Sequence, residues 1–268
     1  MQARWIIAIV LSLGSLIGYY TSTSTNEVTG EKQHVSGITP EQEIALGLQA
    51  APQMAQQHGG LSPNVKAREL VSRVGEAVVA NSDAKKTPYK YDFHLLRDSE
   101  TVNAFALPGG QIFITTALLA RLKSEGQLAA VLAHEVSHVV ARHSAEQMAK
   151  QRLTEGLTGA AAMAAYDPDN PASRNSDQVA AMVGNMVNMK HGRNDELEAD
   201  RFGVRFMAEA GYDPRAMMSL MKILAAAGGG KRSSEFFSTH PNPENRVAKI
   251  QQAIQKEFPQ GLPSGLKP

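Results

Sequence analysis

Hydrophobic and polar residues in the first half of the chain predict two helices followed by a small sheet. A Thr-Pro-Glu-Gln start predicts a helix at 39–57, and apolar residues at helical spacing predict another at 64–80. At 89–95 apolar and polar residues alternate, as they do in a half-buried strand. Residues 103–115 have the pattern of strand, Pro-Gly-Gly turn and strand. We therefore expect a short sheet packed beside helices.

The second half of the chain is predicted to be helical for most of its length. The strongest helical pattern runs over 124–150, where a Ser and a Gln form a capping pair and apolar residues share one side. Residues 166–177 are predicted to be a loop, and a Met-rich segment follows at 179–190. Further helices are predicted at 196–210, 215–227 and 242–258. The fold class is predicted to be mainly α with a small β-sheet, an α+β fold.

The N-terminus is organised separately from the rest. A short positive start is followed by an uncharged apolar run at 5–20, the form of a secretory signal peptide. As a helix this run is about 24 Å long, less than the ~30 Å hydrocarbon core of a bilayer. We therefore favour a cleaved signal peptide over a membrane anchor in 1–24, and either one exports the rest of the chain. The predicted segments after it are a linker at 25–38, a single domain at 39–258 and a flexible tail at 259–268.

Composition excludes several classes of protein. The 268 residues contain 27 Lys and Arg against 26 Asp and Glu, a net charge of +1, which argues against a nucleic-acid binder. Aromatic residues make up only 6% of the chain, which favours close-packed helices over a β-sandwich. Cysteine is absent, so disulfides, thiolate metal sites and Cys nucleophiles are excluded. Any metal ion must be held by His and carboxylate side chains.

Residues 134–138 have the sequence His-Glu-Val-Ser-His, in the middle of the strongest predicted helix. Residues four apart share a helical face, so both imidazoles can reach one metal ion while Glu135 flanks it. This pattern predicts one zinc ion per chain. A catalytic zinc takes three protein ligands and keeps one position open for water, so the third ligand must be His, Asp or Glu. In a continuous helix His143 lies opposite the metal face, and we predict that it is structural or at the surface.

A second acidic cluster offers a third ligand. Glu196, Glu198 and Asp200 fall within one turn of the helix predicted at 196–210. Glu196 and Asp200 share a face, whereas Glu198 points elsewhere and is predicted to be solvated or in a surface ion pair. Carboxylates are also favourable in the first turn of any helix. Spacing alone therefore leaves open whether this cluster binds metal.

The two segments together resemble the zinc metallopeptidase family that includes the HtpX heat-shock protease and the CAAX prenyl endopeptidase. The resemblance covers about 39–250 and includes Asn-Ala-Phe-Ala-Leu-Pro-Gly-Gly at 103–110 and Thr-His-Pro at 239–241. The chain is similar to the small periplasmic BepA-like and LoiP-like members, without the tetratricopeptide repeats of the BepA type. It departs from the family at His191, where relatives often carry an aromatic residue.

This resemblance implies a zincin-like metallopeptidase domain with an active-site helix. The implied zinc ligands are His134, His138 and Glu196. The residues implied to lie behind or beside these ligands are Asp200 and Arg246. Glu135 is implied to be the catalytic base. His240 matches a family histidine near the metal, and it either caps the zinc as a reversible fourth ligand or stabilises the oxyanion, a role also considered for Arg246.

The expected function is zinc-dependent hydrolysis of peptide bonds in unfolded or misassembled proteins of the bacterial cell envelope. The enzyme is expected in the periplasm, either soluble or tethered to the inner membrane by its N-terminal segment. An extended substrate is expected to pair beside Gln111, Ile112, Phe113 and Ile114. The competing prediction is a zinc-stabilised chaperone or assembly factor in which His240 closes the coordination permanently. A hydrolase of small amides is less favoured, because a strand-like segment precedes the zinc helix.

Overall fold

The computed structural model describes residues 2–35, 37–165, 191–227, 235–241 and 245–268. Most of these residues are helical and a small sheet accompanies them, which confirms the predicted α+β class. The predicted loop at 166–177 and the Met-rich segment at 179–190 lie outside the described residues, as does the start of the helix predicted at 242–258.

Helices and strands follow one another in an irregular order. The helices are α1 (Gln2–Thr21), α2 (Pro40–Gln57), α3 (Val65–Ala80), α4 (Thr116–Leu119), α5 (Glu125–Val140), α6 (His143–Ala165), α7 (Arg193–Glu209), α8 (Ala216–Ala227), α9 (Glu235–Thr239) and α10 (Arg246–Glu257). A short 3-10 turn spans Asp83–Lys86. The strands are β1 (Thr23–Thr25), β2 (Lys32–His34), β3 (Asp92–Leu96), β4 (Ala104–Ala106) and β5 (Gln111–Thr115).

The main sheet has the strand order β3-β5-β4, with β5 in the centre. Strand β5 runs parallel to β3, with Phe93 opposite Ile112, and antiparallel to β4, with Ala104 opposite Ile114. Both edges of β5 are therefore occupied by neighbouring strands. The expectation that a substrate pairs beside Gln111, Ile112, Phe113 and Ile114 is wrong, because no backbone edge is left there. Strand β4, which packs against α5, pairs on one side only among the described strands.

The helix predicted at 124–150 is interrupted. Helix α5 ends at Val140 and α6 begins at His143, because Arg142 adopts φ +58°, a left-handed conformation that only a few per cent of non-glycine residues adopt. Tertiary contacts hold it there: its Nη2 donates to the carbonyl of Ile38 at 2.6 Å and its Nε to the Glu43 carboxylate at 3.2 Å. The turn changes the direction of every side chain that follows it.

Helix α5 lies in the core between the sheet and helices α3, α7 and α8. Nearly every residue of α5 is buried, so its polar side chains lie inside the fold. Helix α7 approaches α5 at Gly203, where a Cβ atom would lie 3.5 Å from the backbone nitrogen of His134 and 2.8 Å from Met217 Cε. The glycine permits the close approach of the two helices that carry the acidic and imidazole groups described below.

Segments predicted to be a linker and a flexible tail pack on the two ends of α5. Strand β2 lies within 25–38 and pairs in an antiparallel hairpin with β1, which ends at Thr25, and Asn26 Nδ2 donates to the Val140 carbonyl at 2.7 Å. Within 259–268, the Pro268 carbonyl accepts from the Gly126 backbone nitrogen at 2.9 Å. Neither segment is free of the domain, contrary to the sequence-based expectation.

Helix α1 packs one face on α6. Its other face leaves large apolar side chains more than half exposed, namely Ile6, Ile9, Val10, Leu13 and Ile17. None of the helices in the described part of the chain is both long enough and apolar enough to cross a bilayer.

Candidate metal centre

His134 and His138 lie one turn apart on α5 and turn their rings toward the same point. Their Nε2 atoms are 3.1 Å apart, and both side chains are buried. A Ser124 side chain that accepts from the Gln127 backbone nitrogen begins the helix, as the sequence predicted. The i, i+4 spacing then fixes the two imidazoles on one face.

Helix α7 supplies a buried carboxylate opposite the two imidazoles. Glu196 Oε2 lies 3.4 Å from His134 Nε2, and Glu196 Oε1 lies 3.4 Å from His138 Nε2. The first turn of α7 is fixed by Asp195, whose carboxylate accepts from the Gly192 backbone nitrogen at 2.8 Å. Burial alone raises the pKa of Glu196, but His240, His134 and His138 outweigh it and hold this pKa well below its usual range. Glu196 is therefore ionised.

His240 completes a group of four donors. It follows α9, is buried and stacks on Phe236, with ring centroids 4.5 Å apart. Its Nδ1 lies 3.0 Å from Glu196 Oε1 and 3.4 Å from His134 Nε2. Its Nε2 lies 3.6 Å from Glu135 Oε1. The ring therefore lies between the metal donors and the predicted base, at the place of a fourth ligand.

The four donor side chains fit a zinc ion. One donor atom from each lies within 4.8 Å of the others, the members being His134, His138, Glu196 and His240. Bonds of about 2.1 Å place the ligands of a tetrahedral zinc about 3.4 Å apart, close to the 3.0 to 3.4 Å found between these atoms. Glu196 Oε2 is buried and makes no hydrogen bond among the described residues, so it can give a lone pair to a cation.

Asp200 and Arg246 lie behind the donors. Asp200 Oδ1 is 3.0 Å from His134 Nδ1, and Arg246 donates to both Asp200 oxygens at 2.7 and 2.9 Å. Burial alone raises the pKa of Asp200, but the Arg246 charge outweighs it and lowers this pKa. An ionised Asp200 holds a proton on His134 Nδ1 and leaves Nε2 free for a metal. Arg246 is held by Asp200, with Nη1 3.1 Å from Glu196 Oε2, so its position disfavours the oxyanion role.

Glu135 is fully buried beside the donors and is not one of them. Both of its carboxylate oxygens lack a hydrogen-bond partner among the described residues. Burial raises its pKa above the usual range. A buried polar group without a partner is rare in folded proteins and requires an explanation. A carboxylate that must accept a proton during catalysis provides one.

Three further side chains adjoin the centre although the sequence analysis gave them no role there. His143 Nδ1 is 2.8 Å from His138 Nδ1, and Glu198 Oε2 is 3.5 Å from His143 Nε2. His191 stacks on His138, with ring centroids 3.9 Å apart. Glu198 is predicted to be solvated or in a surface ion pair, and its side chain, 26% exposed, lies beside the buried His143. The surface alternative for His143 is wrong, because the turn at Arg142 brings its side chain into the interior.

Comparison with known proteins identifies the family. The model of peptidase family M48 matches residues 65–254. The chain belongs to peptidase family M48. Among similar proteins, the mitochondrial metalloendopeptidase OMA1 of Schizosaccharomyces pombe is 32% identical over 253 residues, which cover 93% of this chain and 71% of that protein. The beta-barrel assembly-enhancing protease of Escherichia coli is 32% identical over 186 residues, 67% of this chain and 37% of that protein.

Membership of M48 confirms the predicted family and the predicted class of enzyme, a metalloendopeptidase. OMA1 of Arabidopsis thaliana is a third similar protein, 35% identical over 159 residues, or 59% of this chain and 31% of that protein. The chain thus spans well under half the length of two of these three relatives. The matched range contains the α5 histidines, the acidic turn of α7 and His240.

Proposed function

We propose that this M48 member is a zinc-dependent endopeptidase that cleaves unfolded or misassembled proteins. Zinc is held by His134, His138 and Glu196, and Glu135 is the base. The observation that carries the proposal is the buried carboxylate of Glu135, which has no hydrogen-bond partner among the described residues and lies next to a set of donors that fits zinc. A structural metal site alone gives no reason for a buried carboxylate that neither binds the metal nor forms a hydrogen bond.

The chain's own groups account for the proton transfers. Bound zinc supplies Lewis acidity and lowers the pKa of water to roughly 7. Glu135 accepts the proton of the attacking water and passes it to the leaving amine. Asp200 keeps His134 in the tautomer that presents Nε2.

Strand β4 is the proposed place of the substrate. It packs against α5 and is paired only to β5 among the described strands. Just before it, Asn103 is buried and its Oδ1 has no hydrogen-bond partner among the described residues. An extended peptide that pairs with this edge is recognised through main-chain hydrogen bonds, which depend little on sequence. Such recognition supports a broad range of unfolded substrates.

His240 is proposed to cap the metal reversibly. Its Nδ1 distances to Glu196 and His134 are those of a fourth ligand, which supports the cap over the oxyanion role. The same four donors favour one alternative function, a zinc-stabilised chaperone in which His240 never leaves. The Glu135 carboxylate, which has no hydrogen bond among the described residues, favours an enzyme over a chaperone.

Export to the bacterial periplasm is part of the proposal. The apolar run that forms α1 supports either a signal peptide or an anchor of the inner membrane in residues 1–24. The Escherichia coli relative is a beta-barrel assembly-enhancing protease, which supports a role for this chain in acting on envelope proteins.

Cleavage of casein by the purified chain tests the proposed function. We expect cleavage with zinc, loss of cleavage after chelation and recovery when zinc is restored. Glu135→Gln should bind zinc as the parent does and lower turnover by about 10²- to 10⁴-fold, since a general base is removed. A zinc-loaded parent that suppresses casein aggregation without cutting it would support the chaperone instead.

A further inference from the structure

The two imidazole ligands of the proposed zinc site are supported in different ways. His134 Nδ1 faces the carboxylate of Asp200 directly. His138 Nδ1 instead faces a second imidazole, with His143 Nδ1 at 2.8 Å, and both rings are buried. Only one of two facing nitrogens can carry the hydrogen. If His138 Nε2 gives its lone pair to the metal, Nδ1 carries the hydrogen and His143 Nδ1 accepts it.

This tautomer places a hydrogen on His143 Nε2. That atom is buried and has no hydrogen-bond partner among the described residues, but Glu198 Oε2 lies 3.5 Å away. The Glu198 side chain is 26% exposed, so it remains close to water. Its charge favours the tautomer of His143 that has the hydrogen on Nε2 and the lone pair on Nδ1. The order of groups is therefore Glu198, His143, His138 and metal.

The backbone turn at Arg142 creates this order. In a continuous helix His143 would lie about 180° from the metal face. The left-handed φ of Arg142 is unfavourable for a residue other than glycine, and it directs the next side chain against His138. Glu43 and the Ile38 carbonyl hold Arg142 in place, so the orientation of His143 is fixed from outside the metal centre.

A second metal ion is a weaker explanation of the same residues. Nitrogen atoms of His138, His143 and His191 also lie within 4.8 Å of one another. However, the rings of His138 and His191 are stacked, with 25° between their planes. Imidazole lone pairs lie in the ring plane, so two stacked rings cannot both direct a lone pair at one ion.

We infer that His143 is a positioning residue that holds His138 in the metal-binding tautomer, and that Glu198 fixes the tautomer of His143. The inference rests on the zinc site of the proposed function. Partners of this kind change metal affinity by about 10- to 100-fold in other proteins. Loss of the acceptor would leave a buried N–H without a partner and free the His138 ring to turn.

Zinc affinity, measured by competition with a chromophoric chelator, tests the inference in three variants. His143→Leu removes the acceptor, and we expect its zinc dissociation constant to rise about 10- to 100-fold. His143→Asn places an amide oxygen near the position of Nδ1 and should restore affinity close to that of the parent. His58→Leu is the matched control, because His58 is another buried histidine paired to a carboxylate, Asp98, and should bind zinc normally.

Several outcomes would overturn the inference. Parent-like zinc affinity in His143→Leu would show that His138 needs no acceptor. If His143→Asn binds zinc as weakly as His143→Leu, His143 only fills space beside His138. If His143→Leu does not fold, His143→Asn is compared with Glu198→Ala instead. We expect the zinc dissociation constant of Glu198→Ala to rise by a smaller but measurable factor. No rise would contradict the role of Glu198. Failure of the parent itself to bind zinc would instead refute the proposed zinc site.

Discussion

Two buried carboxylates, Glu43 and Glu135, differ in what surrounds them. Glu43 accepts hydrogen bonds from Tyr89 Oη and from Arg142 Nε, so both of its oxygens are satisfied. Glu135 is equally buried and has no hydrogen-bond partner among the described residues. Burial raises the pKa of both groups. The pKa direction therefore does not separate a structural carboxylate from a catalytic one, whereas the count of partners does.

The difference follows from what each cluster does. The Glu43 cluster joins α2 to the turn after α5, a purely structural task that is complete when every polar atom has a partner. Glu135 has no hydrogen bond among the described residues, which costs stability, and its proposed task is to take a proton during the reaction. Substitutions in the metal centre should therefore change metal binding and activity, whereas substitutions in the Glu43 cluster should change stability.

The largest expected effect is loss of the metal. Glu196→Ala removes a donor that faces both His134 and His138, so it should lose most of its bound zinc. Glu198→Ala, two residues away on another face, should remain zinc-loaded when zinc is saturating. Elemental analysis of both purified variants decides the matter. An empty site in Glu198→Ala with a full one in Glu196→Ala would reverse the assignment of the third ligand.

The next effect concerns the cap. If His240 occupies the fourth position about nine-tenths of the time, its removal raises the competent fraction, and basal turnover, about tenfold. His240→Ala should therefore cleave casein and itself faster than the parent, and Thr239→Ala, in the same turn, should behave as the parent. A fall of about 10²- to 10³-fold without added self-cleavage would assign the oxyanion role to His240.

A smaller effect, on stability alone, is expected at Glu43. Glu43→Gln replaces an oxygen that accepts hydrogen bonds from Tyr89 and Arg142 by an amide nitrogen, and should lower the free energy of unfolding by about 1–3 kcal/mol. Glu135→Gln removes a buried carboxylate that has no hydrogen bond among the described residues, and the metal-free protein should be as stable as the parent or more stable. Urea denaturation of the metal-free proteins compares the two. Equal destabilisation by both substitutions would remove the distinction drawn between the two carboxylates.

The smallest effect is a pH dependence. Because burial raises the pKa of Glu43, the folded state binds its proton more tightly than the unfolded state does. The stability linked to this group is fully present below the ordinary glutamate pKa of about 4.3 and is lost as pH rises through the raised pKa. The destabilisation caused by Glu43→Gln should thus shrink as pH rises above the ordinary glutamate pKa of about 4.3. A difference that grows over this range would contradict the direction of the shift.

Local patterns predicted most helices of the fold and the principal donors of the site. The spacing of His134 and His138 predicted that their rings share a face, and the Thr39 capping box is present as predicted. Such features depend on residues within one helical turn of each other. Spacing alone does not identify Glu196 as the third donor, and the family resemblance is needed to assign it.

Features that depend on distant residues were missed. The turn at Arg142 has no glycine, proline or other local marker, and it depends on Glu43 about a hundred residues earlier in the chain. When this turn is not known, helical spacing places His143 on the side of the helix opposite the metal face. Likewise, alternating polarity cannot tell that β5 lies between β3 and β4, because strand order depends on the whole sheet.

The contacts at the two ends of α5 determine when the metal centre can form during synthesis of the chain. Asn26 holds one end of the helix and Pro268 the other, while His240 and Arg246 complete the centre. A ribosome delivers residues in order, so α5 emerges long before the segment 240–268 that it needs. A nascent chain therefore carries both imidazole donors before the residues that complete the candidate centre have been made.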